Sequence, residues 1–174
     1  FRALNRNSNL EYTMRVAILM GSKSDLPVME GAEGVLRQLG IGFETRVLSA
    51  HRTPDEALAL AEGAREAGFG VIIAGAGMAA HLAGVMAAIT DLPVIGVPVG
   101  ASFMGLDALL STVQMPPGVP VATVAVGKAG ARNAAWLAAR ILALSDTDIQ
   151  GRLAQAKADM KAKVLADDAE VRAR

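Results

Sequence analysis

Residues 49–54 contain the side chains best suited to chemistry. His51 and Arg52 are neighbours in this stretch, and His51 is one of only two histidines in the 174-residue chain. Histidine side chains exchange protons close to neutral pH, and an arginine guanidinium binds anions through a planar fork of N–H groups. The pair therefore predicts a proton carrier beside an anion-binding group, although two side chains on a solvated loop would have the same sequence.

A junction between a strand and a helix positions this pair. Residues 43–48 have the composition of a β-strand, and Thr53, Pro54 and Glu56 form the pattern of a capping box at a helix start. Open α/β sheets bind ligands at the carboxyl ends of their strands. We therefore expect His51 and Arg52 at a ligand-binding edge of a sheet.

A second polar loop, residues 21–25, follows the apolar run 15–20. Ser22 and Ser24 offer hydroxyls next to a helix amino terminus, which is a favourable environment for a phosphate group. Asp25 is suited to hydrogen bonds with sugar hydroxyls, or it acts only as a helix cap. Alone, this loop is better explained as an ordinary capped junction.

A third loop, residues 75–81, follows the apolar run 71–74. It matches the dinucleotide fingerprint G-x-G-x-x-A in form, but it follows the third strand and lacks an acidic residue about 20 positions later. The loop therefore predicts a close approach of the Ala76 and Gly77 backbone to a small ligand. His81 is either a ligand contact or a histidine that is bonded locally for structural reasons.

Strand-like and helical patterns alternate five times along the chain, with short connections. The predicted strands occupy residues 15–20, 43–48, 71–74, 93–99 and 119–126. This alternation predicts an α/β fold, a three-layer sandwich in which a five-stranded parallel sheet is covered by helices on both faces. The sequence does not specify the strand order, and we favour the flavodoxin-like order 2-1-3-4-5.

The ends of the chain differ from this central pattern. Residues 1–13 are polar and predict a flexible leader, with Met14 as the natural start. Residues 14–145 form the predicted catalytic α/β domain, and residues 146–174 form a C-terminal helix and tail. Asp146 caps that helix, whose narrow apolar stripe would pack on its own domain or on a neighbouring subunit.

Composition limits the functions that this chain can have. Hydrophobic residues make up 52%, and 17 basic residues balance 17 acidic ones, so no global field attracts nucleic acid or an anionic membrane. The chain has no cysteine, and no apolar run reaches the roughly 18 residues of a membrane span. We therefore expect a cytoplasmic protein that binds neither nucleic acid nor membranes.

Several common kinds of catalytic site are not predicted by the sequence. Two histidines at positions 51 and 81, without any cysteine, do not have the spacing of a zinc site. The sequence has no G-x-S-x-G elbow of a serine hydrolase, and no acidic phosphoacceptor ends the third strand. The chemistry that remains is acid–base catalysis on a small phosphorylated molecule, with His51 as the proton carrier.

Four stretches together resemble the N5-carboxyaminoimidazole ribonucleotide mutase family of purine biosynthesis, known as PurE. They are MGSKSD at 20–25, SAHRTP at 49–54, AGAGMAAHL at 74–82 and LLSTVQMP at 109–116. The resemblance covers about residues 14–144 and implies a flavodoxin-like domain assembled as a homo-octamer. It also implies an isomerase that moves a carboxylate from the N5 nitrogen to C4 of an aminoimidazole nucleotide, without ATP, metal or organic cofactor.

The resemblance further implies roles for individual residues. His51 is the general acid/base, which removes the C4 proton after the ring carbon has attacked released CO2. Arg52 resembles the bacterial mutase class, since the animal-type carboxylase class usually has lysine there. The implied substrate-binding set is Ser22, Ser49 and Arg52 at the phosphate, Asp25 at the ribose, Ala76, Gly77 and His81 at the base and carboxylate, together with Ser24 of the first loop.

Three features depart from the family pattern. Met78 stands where the family usually has glycine, Ala83 stands where it usually has proline, and residues 100–105 replace a more polar stretch. All of them lie near the implied carboxylate pocket or near the implied subunit contacts.

Two other functions stay open at this point. One is the related carboxylase, which takes aminoimidazole ribonucleotide and CO2 directly. The other is a non-catalytic nucleotide- or flavin-binding module that uses the same phosphate site. Aromatic residues make up only 3% of the chain, so few side chains are available to stack on a flavin.

Overall fold

Five parallel strands form one sheet at the centre of the fold. The computed structural model of the chain describes residues 14–100 and 102–174, so the predicted leader at 1–13 lies outside the described residues. The strands are β1 (Arg15–Met20), β2 (Phe43–Val47), β3 (Phe69–Gly77), β4 (Val94–Val99) and β5 (Ala122–Thr123). Their order is β2-β1-β3-β4-β5, with every neighbouring pair parallel, which confirms the predicted α/β class and the flavodoxin-like strand order.

Helices connect the strands and cover both faces of the sheet. They are α1 (Leu26–Gln38), α2 (Pro54–Gly63), α3 (Leu82–Ile89), α4 (Leu106–Val113), α5 (Gly127–Leu142) and α6 (Thr147–Arg172). Helices α1 and α5 pack on one face, while α2 and α3 pack on the other. Parallel strands need such crossover helices, and these give the sheet its two apolar coverings.

The strand β1 shows how the sequence builds both cores at once. Its side chains alternate between the two faces, with Val16 and Ile18 in the core under α1 and α5, and with Ala17 and Leu19 in the core under α2 and α3. All four are buried. Full burial of a large aliphatic side chain contributes about 1.5–3 kcal/mol, so this central strand fixes the register of its neighbours strongly.

Two strands differ from the prediction by several residues, while β2 and β4 are each one residue shorter than predicted. The strand β3 extends beyond the predicted residues 71–74 to Gly77, because its glycine-containing end still pairs with β4, where Gly77 lies opposite Val99. The strand β5 covers only Ala122–Thr123 instead of residues 119–126. It is an edge strand that pairs with β4 alone, and Pro120 has no N–H to extend the pairing.

The last helix, α6, packs on the domain only through its first half. Asp146 caps it as predicted, with its side chain accepting hydrogen bonds from the N–H groups of Asp148 and Ile149. Ile149 and Ala156 are buried, but every residue from 157 onward is exposed. Among the helices of the described chain, none is both long and apolar enough to cross a membrane.

Candidate active site

A cavity of about 510 Å³ opens at the carboxyl ends of β1, β2 and β3. Each of these strands leads into one of the three polar loops that the sequence singled out. All nine predicted site residues line this one cavity: Ser22, Ser24, Asp25, Ser49, His51, Arg52, Ala76, Gly77 and His81. The structure therefore brings these residues together, while the role of each residue stays a prediction.

Arg52 joins the first loop to the second. Its Nη2 donates to the backbone carbonyl of Gly21 at 2.7 Å, and its Nε donates to Ser49 Oγ at 3.4 Å. A guanidinium has five N–H groups, so these two contacts orient the fork and leave further donors for an anion. The arrangement is suited to holding a phosphate between loops 21–25 and 49–52.

Ser49 organises the second loop. Its Oγ accepts hydrogen bonds from the backbone N–H of Arg52 at 3.2 Å and from that of His51 at 3.4 Å. A serine hydroxyl that bonds N–H groups two and three residues later is typical of a turn before a helix. These bonds fix the direction in which the two following side chains leave the backbone.

The capping box predicted at Thr53 is not formed. Thr53 Oγ1 accepts from the backbone N–H of Ser49 at 2.9 Å and donates to the Ser49 carbonyl at 3.2 Å, and it makes no cap bond to α2. The hydroxyl thus closes the turn of residues 49–53, because the backbone groups of Ser49 lie within reach and compete with the helix. The helix α2 still begins at Pro54, as the sequence predicts.

The first loop places two hydroxyls side by side. Ser24 Oγ and Ser22 Oγ lie 2.8 Å apart, within hydrogen-bond distance, and the backbone N–H of Ser24 donates to Ser22 Oγ at 3.3 Å. Residues Lys23–Asp25 form a single 3-10 turn that leads into α1. Asp25 makes no side-chain cap bond to α1, so the alternative role as a helix cap is not what its carboxylate does here.

Asp25 lies in the cavity wall, where burial destabilises the charged form of its carboxyl. Burial raises the pKa of its carboxyl above the ordinary value, while hydrogen bonds from the Ser24 side chain and the Ser22 backbone, and the positive charge of Arg52, act in the opposite direction. Burial disfavours the charged form because the carboxylate loses water. A carboxyl kept in a cavity at such a cost is typical of functional sites.

The two histidines of the chain contact each other. His51 Nε2 and His81 Nδ1 lie 2.9 Å apart, the ring centroids are 4.9 Å apart, and the ring planes meet at 75°. When both rings are neutral, one of these nitrogens donates a hydrogen and the other accepts it. The sequence predicted both histidines at the site but not their contact, because no pattern relates residues on two different loops.

The third loop contains a non-glycine residue in an unfavourable backbone conformation. Met78 has a φ of 55°, in the left-handed region that costs a non-glycine residue about 1 kcal/mol or more. The departure from glycine at this position therefore falls where glycine is the better residue. Just before it, Gly77 is needed because a Cβ there would lie 3.0 Å from the carbonyl oxygen of Val99.

Sequence reasoning missed one polar residue behind this loop. Ser111 of α4 accepts a hydrogen bond from the backbone N–H of Ala80 at 3.0 Å. Its only signal in the sequence was its position in the stretch 109–116, which supports the family resemblance without indicating a role. Ala50, Met78, Ala79 and Leu82 also line the cavity and were not predicted as site residues.

Metal-ligating side chains do not gather in a cluster of three or more anywhere in residues 14–100 and 102–174. The cavity itself offers two imidazoles, one guanidinium, one carboxylate and three serine hydroxyls, which are groups for hydrogen bonding and proton transfer.

Comparisons with known proteins show which family this chain resembles. The sequence profile of the family described as "AIR carboxylase" matches residues 15–163. The chain is 58% identical over 139 residues to the protein named N5-carboxyaminoimidazole ribonucleotide mutase from Brucella melitensis, covering 79% of this chain and 86% of that relative. It is 54% identical over 151 residues to the protein of the same name from Bacillus subtilis, covering 86% of this chain and 93% of that relative.

The fold has solved counterparts as well. The crystal structure of PurE from Treponema denticola is similar to this chain with a TM-score of 0.80 at 30% sequence identity. The match covers 89% of this chain and 96% of that one. The fold of this chain is therefore similar to that of the solved PurE protein.

The raised pKa of Asp25 predicts a stability difference that depends on pH. In the window between the ordinary pKa of Asp and its raised value in the fold, the unfolded chain binds fewer protons than the folded one, so stability falls as pH rises. We expect Asp25→Asn to raise the Tm at pH 7 by at most a few degrees, because solvent screens a partly exposed carboxyl. The gain should shrink as pH is lowered toward the ordinary pKa of Asp, measured by calorimetry across pH.

Asp91→Asn is the matched control, because Asp91 is an exposed carboxylate that pairs with Arg65 at 2.9 Å. It should leave the Tm unchanged or slightly lower at pH 7. A Tm gain for Asp25→Asn that stays constant as the pH is lowered to the ordinary pKa of Asp, or that is absent at pH 7, contradicts the electrostatic cost described for this residue.

Proposed function

This chain belongs to the AIR carboxylase family and is an enzyme, and we propose that it is the isomerase that converts N5-carboxyaminoimidazole ribonucleotide to 4-carboxy-5-aminoimidazole ribonucleotide. The single observation that carries the proposal is that one cavity holds His51, Arg52 and the two serines Ser22 and Ser49. A proton carrier and an anion-binding group thus line the same space. The names of the curated relatives support the choice of this reaction over others that the same groups could perform.

The phosphate of the nucleotide is proposed to lie between the first two loops. Arg52 supplies charge-assisted N–H donors, and its contacts with Gly21 and Ser49 hold the guanidinium in a fixed direction. Ser22 and Ser24 add hydroxyls at the start of the 3-10 turn. This set supports phosphate binding without a net positive charge on the protein, because the cation is local.

The ribose and the ring are proposed to extend from there toward the third loop. Asp25 lies on the same wall of the cavity and accepts well from a diol, whereas it would repel a phosphate. The backbone of Ala76 and Gly77 lines the far wall, where the absence of a side chain at Gly77 lets a flat ring approach closely. His81 then borders the base and the migrating carboxylate.

The proposed mechanism moves one proton and one carboxylate. His51 as an imidazolium gives its proton to N5 while the N5–carboxylate bond breaks, which releases CO2 and leaves the neutral amine. C4 of the ring then attacks CO2, and a new carbon–carbon bond forms with C4 still protonated. Neutral His51 finally removes the C4 proton, so the ring regains aromaticity and the imidazolium is restored.

The contact with His81 supports this assignment of His51. A hydrogen bond from Nε2 of one ring to Nδ1 of the other orients His51 and provides an acceptor when His51 is charged. General acid–base catalysis depends on such positioning of the ring before its protonation state matters. The pair is therefore proposed as the catalytic base with its immediate neighbour.

A second candidate function is the direct carboxylation of aminoimidazole ribonucleotide by CO2. The description of the matching family, "AIR carboxylase", supports this second candidate. The same cavity would serve, because the final two steps are identical and only the source of CO2 differs. Arginine at position 52 supports the mutase, on the resemblance described above.

We also propose that the chain assembles as a homo-octamer, with residues 14–145 as the catalytic domain and residues 146–174 as an arm. Two apolar surfaces lack a covering in the described single chain. One runs along α4 and the turn before it, where Phe103 is 80% and Met104 is 97% exposed. The other continues the stripe of α6 beyond Ala156, through Met160, Val164 and Val171. Exposed apolar surface of this extent is typical of subunit interfaces.

Turnover of the two substrates decides between the candidate functions. We expect the purified protein to convert the N5-carboxy nucleotide at low bicarbonate, without added ATP or metal, faster than it converts aminoimidazole ribonucleotide. The measurement is product formation from each substrate at matched concentration. Faster use of aminoimidazole ribonucleotide with added CO2 would favour the carboxylase, and binding without turnover would favour the non-catalytic module.

His51→Asn tests the proposed proton carrier. We expect kcat to fall by roughly 10²–10⁴-fold, since a general acid/base contributes about that factor. Binding of the product nucleotide, measured by calorimetry, should change much less, because the phosphate contacts remain. Turnover equal to that of the parent protein would rule out the proposed role of His51.

Val164→Glu tests the proposed arm. The parent protein should have a native mass eight times the 17.9 kDa of the chain, and Val164→Glu should lower that mass by placing a charge in an apolar contact. Ala162→Glu is the matched control, because it adds the same charge to an exposed position on the opposite side of α6. Equal native masses for the two variants would show that this stripe is not an interface.

A further inference from the structure

A hydroxyl outside the cavity joins α4 to the third loop. Ser111 Oγ accepts from the backbone N–H of Ala80 at 3.0 Å, and it lies 3.2 Å from the carbonyl oxygen of Met78. It is also 2.9 Å from the carbonyl of Asp107, the usual acceptor one turn earlier in a helix. The N–H of Ala80 can only donate, so the bond from Ala80 to Ser111 has one possible direction.

This bond stabilises a loop conformation that is unfavourable for the methionine at position 78. Met78 adopts the left-handed region with φ at 55°, which an L side chain rarely occupies unless its surroundings require it. Ala80 is 1% exposed, so its N–H has no access to water and needs a protein acceptor. Within the described chain Ser111 is that acceptor, and it fixes the loop on the far side of the strained residue.

The loop leads directly into the catalytic pair. The backbone N–H of His81 donates to the carbonyl of Ala79 at 2.9 Å, and the His81 carbonyl accepts from Val85 in the first turn of α3. His81 therefore leaves the backbone at the point where the loop ends and the helix begins. The turn at residues 78–80 thus sets the backbone position from which the His81 ring reaches His51 Nε2.

We propose that Ser111 is a positioning residue for the reaction: it holds the Met78–Ala80 turn in its strained form and thereby keeps His81 against His51. This inference rests on the proposed function only for its effect on turnover, because the geometry of the histidine pair exists without any substrate. Ser111 itself does not line the cavity. It acts through the backbone of the third loop.

The hydroxyl of the neighbouring residue Thr112 bonds within α4 and not to the third loop. Thr112 is the next residue of α4, is 2% exposed, and donates to the carbonyl of Ala108 at 2.7 Å. Its methyl group packs against Gly96 of β4, away from the third loop. Thr112→Val therefore removes a buried α4 hydroxyl of the same helix without removing a bond to residues 78–80.

The test compares Ser111→Ala with Thr112→Val in the 174-residue protein. The first readout is the 15N NMR spectrum of the imidazole nitrogens at one fixed pH, which is direct because the chain has only two histidines. We expect the hydrogen bond between His51 Nε2 and His81 Nδ1 to give a scalar coupling between these nitrogens in the parent protein and in Thr112→Val, and we expect this coupling to be lost in Ser111→Ala. The same coupling in Ser111→Ala overturns the proposal.

The second readout is the pH profile of kcat. We expect Ser111→Ala to lower kcat by about 10- to 100-fold and to change the shape of the profile, since misplacement of a catalytic group by about 1 Å has effects of this size. Thr112→Val should keep the parent's profile even if its Tm is lower. A Ser111→Ala profile equal to that of Thr112→Val would overturn the positioning role.

The double variant Ser111→Ala/Met78→Gly tests the strain. Glycine occupies the left-handed region freely, so the turn no longer needs to be held there. We expect Ser111→Ala to reduce kcat less in the Met78→Gly background than in the parent, which is a coupling between two residues. Equal reductions in both backgrounds would overturn the strain argument.

Failure of the proposed function is distinguishable from failure of this inference. If the parent protein turns over neither nucleotide, the proposed function fails while the imidazole spectra still decide whether Ser111 positions the pair. If the parent is active and the spectra of Ser111→Ala are unchanged, the positioning role fails while the function stands.

Discussion

The parallel pairing of β1 with both β2 and β3 is the constraint on which the site depends. The backbone N–H of Leu48 donates to the Met20 carbonyl at 2.9 Å, and the N–H of Gly21 donates to the Gly75 carbonyl at 3.3 Å. These two bonds continue the sheet one residue past the end of β1. Because three parallel strands end at the same edge, the loops that follow them are forced to share one cavity.

At that edge of the sheet, hydrogen bonds from side chains to backbone groups fix the conformations of the loops. Arg52 ties the second loop to the first, and Thr53 and Ser49 close the turn between β2 and α2. The third loop lacks such polar residues of its own and is held from behind by Ser111. The alanine- and glycine-rich loop thus gains its shape from a helix that does not touch the cavity.

Electrostatics in this protein are local. The formal net charge is zero, so any attraction of an anion to the cavity depends on the cation at position 52 and on oriented N–H groups. Asp25 stands close enough for the charge of Arg52 to lower its pKa, yet burial raises that pKa overall. The same cavity therefore combines a guanidinium with a carboxyl whose charged form is destabilised by burial, and such combinations are typical of functional sites.

The sequence alone determined the class of fold and the three loops of the site, because both follow from local patterns. Short apolar runs and helix starts such as Pro54 depend on nearby residues, and they predicted β1 and the start of α2 correctly. The sequence also predicted that His51, Arg52 and Asp25 lie together, because their residue types stand out in a chain with two histidines and few polar loops, and all three line the cavity.

Only the tertiary structure decided which of these groups touch. The contact between His51 and His81, the turn closed by Thr53 and the bond from Ala80 to Ser111 all join residues whose partners are chosen by competition in space. Edge effects likewise shortened β5, and pairing with β4 lengthened β3 through Gly77. Hydrogen-bond partners and strand ends depend on residues that are close in space but distant in the sequence. A local sequence pattern therefore does not predict them.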